Sequence, residues 1–178
     1  MRQIFKYLFL LGIFIAIPWP GSSSPIPTAF PKGDGVITLY DLHSGEKAAI
    51  RYRLGKNYLE AGLEQINYLL RCRADGKIKP MHLELVELVD HLEDHFESGE
   101  VRVLSGYRSP EFNHKLRRRG RRAAKYSRHM KGEAIDLRLP GVSAWRLRQY
   151  LAALKVGGVG YYPGRSFVHV DVGPYRTW

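Results

Sequence analysis

The hydrophobic period of this chain changes near residue 100, and that change limits the folds open to it. Upstream, Leu59, Leu63, Ile66, Leu69 and Leu70 recur at helical spacing, as do Leu83, Leu85, Val86, Leu88, Val89, Leu92 and Phe96. Each set lines one face of a helix, and Ala74-Asp75-Gly76 lies between the two. The second helix carries Glu84, Glu87, Glu93, Asp94 and Glu97, read as its solvated side because acids are seldom buried. Downstream the pattern shortens to strand-length runs at 101–104, 134–139, 158–162 and 167–172, separated by loops rich in Gly, Arg and Tyr. Further helices are expected from Ser109-Pro110, with Ser as cap and Pro in the first turn, and from Ser143 through Leu154. A hairpin comes first, with runs at 36–41 and 48–53 flanking the turn His43-Ser44-Gly45-Glu46. Helices followed by short strands predict an α+β domain over residues 36–178, a small antiparallel sheet with flanking helices.

Composition adds limits. A chain of 178 residues with 44% hydrophobic content suffices for one packed domain. The single cysteine, Cys72, excludes an internal disulfide and a cysteine-based zinc cluster. Its place after Leu69 and Leu70 marks it as a buried structural thiol. The net charge of +11 points to an anionic polymer as partner and says nothing about fold.

The N-terminus has the order of an export signal. Arg2 and Lys6 precede an apolar run from Tyr7 to Ile17, which Pro18, Pro20 and Gly21-Ser22-Ser23-Ser24 interrupt. A bilayer span takes about 20 apolar residues, so residues 1–23 read as a signal peptide cleaved near Ser23, with an uncleaved membrane anchor as the alternative. No cysteine stands there to carry a lipid. Residues 24–35 form a Pro- and Gly-rich linker. The chain is expected in the periplasm.

The chemistry gathers after residue 100. His129 precedes Gly132 and the strand that holds Asp136, and Phe167-Val-His169-Val-Asp171 supplies a second histidine on another strand. Alternation places Phe167, His169 and Asp171 on one face. Two imidazoles and a carboxylate with room for water form a catalytic zinc set, although a histidine among apolar strand residues is more often a hydrogen-bonded core residue.

Four stretches occur in order: Ser105-Gly-Tyr-Arg108-Ser109, Ser127-Arg-His129-Met-Lys-Gly132-Glu-Ala134-Ile-Asp136, Gly157-Gly-Val-Gly-Tyr-Tyr162, and Phe167-Val-His169-Val-Asp171-Val-Gly173-Pro-Tyr-Arg176-Thr-Trp178. Together with Ile37-Thr-Leu-Tyr-Asp-Leu-His-Ser-Gly-Glu46, they resemble the murein endopeptidase K type of the superfamily of zinc D-Ala-D-Ala carboxypeptidases and L-alanyl-D-glutamate peptidases. The resemblance implies a monomeric zinc peptidase that cuts peptidoglycan crosslinks, at bonds joining D-alanine or diaminopimelate to diaminopimelate. It implies zinc on His129, Asp136 and His169, on the sheet and its adjoining loop. It also places Arg108 near substrate, steadying an oxyanion or a substrate carboxylate; the alternative is a loop arginine that ties down its own turn. Ser127 binds substrate or caps a turn.

One position departs from the superfamily. Many members carry a Glu, Asp or His two or three residues before the last zinc histidine, as general base. Here Ser166 and Phe167 stand there. Asp171 is a candidate base or else a carboxylate that orients a ligand, and Glu133 is a weaker one. An inactive zinc-containing domain that only binds peptidoglycan is the alternative function. Residues 115–125 contain seven basic side chains and no acid. A nucleic-acid partner is set aside because of the export signal and the absence of a recognition motif. Carboxylates of peptidoglycan stems, or solvent alone, remain for that run.

Overall fold

The computed structural model describes residues 30–120 and 123–178. The expected signal peptide and the linker up to residue 29 lie outside the described residues, as do Arg121 and Arg122 of the basic run.

Strand β1 (Val36–Asp41) turns Ile37, Leu39 and Asp41 inward and pairs antiparallel with β2 (Lys47–Arg51). Asp41 holds the turn between them, its Oδ1 accepting from the His43 N–H at 2.6 Å and its carbonyl from the Gly45 N–H at 2.9 Å. A small hairpin of β3 (Arg53–Leu54) and β4 (Asn57–Tyr58) leads into α1 (Glu60–Leu69) and α2 (Leu83–His95). Then follow β5 (Val101–Ser105), α3 (Pro110–Arg118), β6 (Ala134–Arg138), α4 (Ala144–Leu154), β7 (Gly158–Tyr162), β8 (Phe167–Asp171) and β9 (Arg176–Thr177). The two expected serine caps are present: Ser109 Oγ accepts from the Phe112 N–H at 3.1 Å and Ser143 Oγ from the Arg146 N–H at 3.2 Å.

The α+β class holds, but the sheet is neither small nor wholly antiparallel. Seven strands lie in the order β2-β1-β5-β6-β8-β7-β9. β1 pairs with β5 in parallel, Leu39 beside Val101, and β7 pairs with β9 in parallel. A parallel neighbour needs a long crossover, and α1 and α2 supply one between the first hairpin and β5. Periodicity reveals the faces of each strand and leaves its neighbours open.

The acidic side of α2 is also corrected. Glu87 and Asp90 are fully buried and Glu93 nearly so, while Asp94 and Glu97 are exposed. Asp90 Oδ2 accepts from the Gly35 N–H at 3.0 Å and the Tyr52 hydroxyl at 2.6 Å, and Glu93 accepts from the Thr38 N–H at 2.8 Å. Glu87 meets Arg53 Nε at 3.0 Å. These acids fasten the segment before β1 onto the helix. Burial pushes the Asp90 carboxyl up to about 6, against the opposing Tyr52 hydrogen bond.

Alternation divides the sheet into two faces. Ile37, Leu39, Val103, Ile135, Leu137, Val168 and Val170 join Leu63, Ile66, Leu88, Leu92, Leu147 and Leu151 of the helices in one core. Fully burying each such side chain stabilises by roughly 1.5–3 kcal/mol. The alternate positions of β6 and β8 hold Asp136, Phe167, His169 and Asp171 on the opposite face.

Helix α1 approaches β2 closely at Gly62, where an added methyl would meet the Arg51 carbonyl and the Tyr52 backbone. Ala gains about 1 kcal/mol in helix propensity over Gly, whereas overpacking against backbone costs about 1–3 kcal/mol. Gly62→Ala therefore lowers the melting temperature by roughly 2–8 °C for a domain of this size, measured by thermal denaturation. A rise in melting temperature would show that the helix and β2 separate freely.

Candidate metal centre

Three elements bring the expected ligands together. His129 sits in a short 3-10 turn, Arg128–Lys131, which Gly132 ends at φ +73°. Asp136 lies on β6 directly opposite His169 on β8. His129 Nε2 stands 3.2 Å from Asp136 Oδ1 and 3.2 Å from His169 Nδ1, and His169 Nδ1 is 2.8 Å from the same Asp136 oxygen. The three atoms form one metal-compatible group.

Proton positions decide what this group can bind. His129 Nδ1 lies 2.8 Å from the Gly106 carbonyl, which can only accept, so Nδ1 carries the proton and Nε2 presents a lone pair. His169 Nε2 lies 3.1 Å from Asp171 Oδ2, which assigns its proton to Nε2 and its lone pair to Nδ1. Two imidazole lone pairs and a carboxylate thus face one point, an arrangement that suits a cation and not another hydrogen-bond acceptor. Nitrogen and oxygen donors without thiolate exclude a soft-metal site.

The surrounding charges support the same reading. Burial alone would raise the Asp136 carboxyl, but the facing His129, His169 and Arg108 hold it well below the usual range. Burial lowers His129, partly offset by Asp136. Burial also pushes His169 down, but the adjacent Asp136 and Asp171 carboxylates outweigh this and raise it. The pair of carboxylates draws positive charge to this point.

Asp171 lies behind His169, fully buried. It accepts from Arg176 Nη2 at 2.6 Å and from the N–H groups of Gly173 at 2.9 Å and Gly158 at 3.2 Å, with Arg128 Nε at 3.4 Å. Burial would raise its carboxyl; the His169 and Arg176 hydrogen bonds hold it far below the normal range. Glycine at 158 is required here, because a methyl would meet Asp171 and Arg176.

The other expected residues are close by. Arg108 pairs through Nη2 with Asp136 Oδ2 and donates from Nε to Ser105 Oγ at 2.8 Å. Ser127 is buried, precedes the 3-10 turn and makes no side-chain capping bond. Glu133 turns away to Arg128, at 2.6 Å. The group opens into a cavity of about 1450 Å³ whose lining among the described residues includes Arg73, Arg108, Arg119, Arg128, Arg165 and Arg176, against the side-chain carboxylates of Asp136 and Asp171.

Sequence reasoning missed the partners of Asp171. Arg128 and Arg176 both fall inside the quoted motifs, and strand alternation already placed Asp171 beside His169. A buried carboxylate requires cations, but spacing does not name them. The Trp178 ring, 5.3 Å from that of His169, and the Gly106 carbonyl were missed as well.

Residues 31–178 match the family model described as peptidoglycan L,D-endopeptidase MepK. The chain belongs to this family. Within the MepK family, a peptidoglycan L,D-endopeptidase from Escherichia coli K12 is 36% identical over 177 residues, covering 97% of this chain and 95% of that protein. A probable peptidoglycan L,D-endopeptidase from Haemophilus influenzae is 34% identical over 175 residues, covering 97% and 94%. No solved structure gives a significant match. The matched residues take in all of the MepK-type sheet and helices described above.

The network around Asp171 generates a stability prediction. Arg176→Ala removes the shortest charged contact to a fully buried carboxylate. A loss of roughly 1–3 kcal/mol in urea unfolding at pH 7 is expected. An unchanged midpoint would show that the glycine amides and Arg128 satisfy Asp171 unaided.

Proposed function

We propose that this MepK family member is a zinc-dependent endopeptidase that hydrolyses peptide crosslinks of peptidoglycan. It is exported by its N-terminal segment to the periplasm and acts there as a monomer. The observation that carries the reading is the convergence of two imidazole lone pairs and a carboxylate at the base of a large, arginine-rich cavity. His129, Asp136 and His169 are the zinc ligands, a donor set that leaves a position for water. When bound, zinc supplies Lewis acidity to the scissile carbonyl and lowers the pKa of water toward ~7.

The protein groups then take distinct parts. Arg108, braced by Ser105 and Asp136, keeps Nη1 for a substrate oxygen, where a fixed cation stabilises developing negative charge. Ser127 offers its hydroxyl to the bound peptide. The names of the relatives favour an L,D bond for this chain, in a crosslink to diaminopimelate.

Asp171 is a positioning residue in this reading. Its oxygens are taken by His169, Arg176 and two backbone amides, so it orients the His169 ring and is poorly suited to receive a proton. Among the described residues that leaves no uncommitted side-chain carboxylate in the cavity lining. The same fact favours the second reading, a domain that binds peptidoglycan and zinc without cleavage.

Digestion of defined crosslinked muropeptides, with products weighed by mass spectrometry, separates the two. The purified protein should carry about one zinc. His129→Ala, Asp136→Ala and His169→Ala should each lower zinc content and abolish cleavage. Zinc affinity should also fall with pH, beginning above the usual histidine range because His169 is raised by its carboxylate neighbours, since the ligand nitrogens must be free of protons. Full zinc content and turnover in the His169 variant would sink the ligand assignment, and wild-type protein that binds zinc and muropeptide without cutting would favour the binding domain.

Asp171→Asn tests the positioning role. A loss of about 10- to 100-fold in zinc affinity is expected, with excess zinc restoring part of the activity. A rate loss on the order of 100- to 10,000-fold at full zinc occupancy would instead make Asp171 the general base.

A further inference from the structure

The cavity holds a cation that the zinc site does not use. Arg73 follows α1 in a tight loop and lines the same cavity as Arg108 and Asp136. Its side-chain contacts are the His43 ring, at Nε2 and with Nδ1 at 3.4 Å, and the Phe112 ring, whose centroid lies 5.2 Å from the guanidinium carbon. No carboxylate pairs with it among the described residues. Burial lowers its guanidinium, and the Arg108 charge lowers it further. The side chain stays exposed enough to meet a ligand.

The loop that presents Arg73 is rigidly fastened. The Cys72 N–H donates to the Lys77 carbonyl at 2.9 Å and the Gly76 N–H to the Cys72 carbonyl at 2.8 Å. Cys72 is fully buried, with its thiol 3.6 Å from Ser109 Oγ, and the Tyr107 N–H donates to the Leu70 carbonyl at 2.8 Å. The loop is thereby tied to the segment that carries Arg108. On the other side, the Leu104 carbonyl holds His43 Nε2 at 3.0 Å. Arg119 and Arg165 also line the cavity, but they lie at a helix end and in an exposed turn without such a clamp. An arginine on a fastened loop, with no carboxylate in salt-bridge reach among the described residues, suits a substrate carboxylate, which it can bind through two parallel hydrogen bonds.

We infer that Arg73 binds the free carboxylate of the diaminopimelate residue whose amine forms the scissile amide, an inference that rests on the endopeptidase reading. In such a crosslink the scissile nitrogen and this carboxylate share one carbon. The carboxylate is therefore carried into the cleft next to the reacting bond, in the cavity that Arg73 lines together with Arg108 and Asp136. Blocking the carboxylate as an amide removes the charge and keeps nearly the same shape.

The experiment compares crosslinked stem peptides with that carboxylate either free or amidated. Their kcat/KM ratio is measured for the wild type and for Arg73→Gln. Isothermal titration of the same two peptides into a zinc-loaded protein reads the binding ratio whether or not the bond is cut, which separates failure of this assignment from failure of the endopeptidase reading. The wild type should prefer the free carboxylate by roughly 10- to 100-fold. In Arg73→Gln the ratio should fall close to one. A wild-type ratio near one, which needs no variant, or an undiminished preference in Arg73→Gln would overturn the assignment.

Discussion

The pairing of Asp136 with His169 across β6 and β8 is the contact on which the rest of the site depends. A strand shifted by one residue turns every side chain to the other face, so a slip of β8 would bury His169 and Asp171 in the apolar core and expose Val168 and Val170. The core prevents this. Val168 and Val170 are fully buried with Ile135 and Leu137, and that apolar burial is coupled through the pleat to the position of the ligands. The same residues that make the sheet stable thus set the geometry of the metal group.

Buried carboxylates organise both ends of the molecule, with opposite results. Asp171 is surrounded by Arg176, Arg128, His169 and two backbone amides and is held firmly ionised. Asp90 has Tyr52 and Gly35 as donors to one oxygen, while its other oxygen is buried without a partner, and its carboxyl is raised. Burial disfavours charge in both cases; the number and charge of the donors decide which way each group moves. The first arrangement steadies a ligand, and the second fastens the segment before β1 to α2.

The cavity extends this logic to solvent. Among the described residues, six arginines line it against two side-chain carboxylates that are already engaged, so its potential is positive around the candidate metal group. Such a cleft attracts anionic substrate and repels cationic peptides.

Much of this was legible in the residues. The helices, the serine caps at 109 and 143, and the strands at 101, 134, 158 and 167 follow from periodicity and capping chemistry, because these depend on near neighbours in the chain. The family resemblance of the motifs, more than their spacing, marked His129, Asp136 and His169 as a group. Periodicity did not reveal the parallel pairing of β1 with β5, since strand order depends on where a long helical crossover returns. It misread Glu87 and Glu93 as solvated, because their partners Arg53 and Thr38 lie 34 and 55 residues away. It also left Arg73 unnoticed, as its neighbours His43 and Phe112 come from a distant turn and a distant helix. The sequence by itself determined the elements and the kinds of donor available. Only the tertiary structure decided which donors share a point and which charges go uncompensated, because those are distances across the fold, set by packing and register.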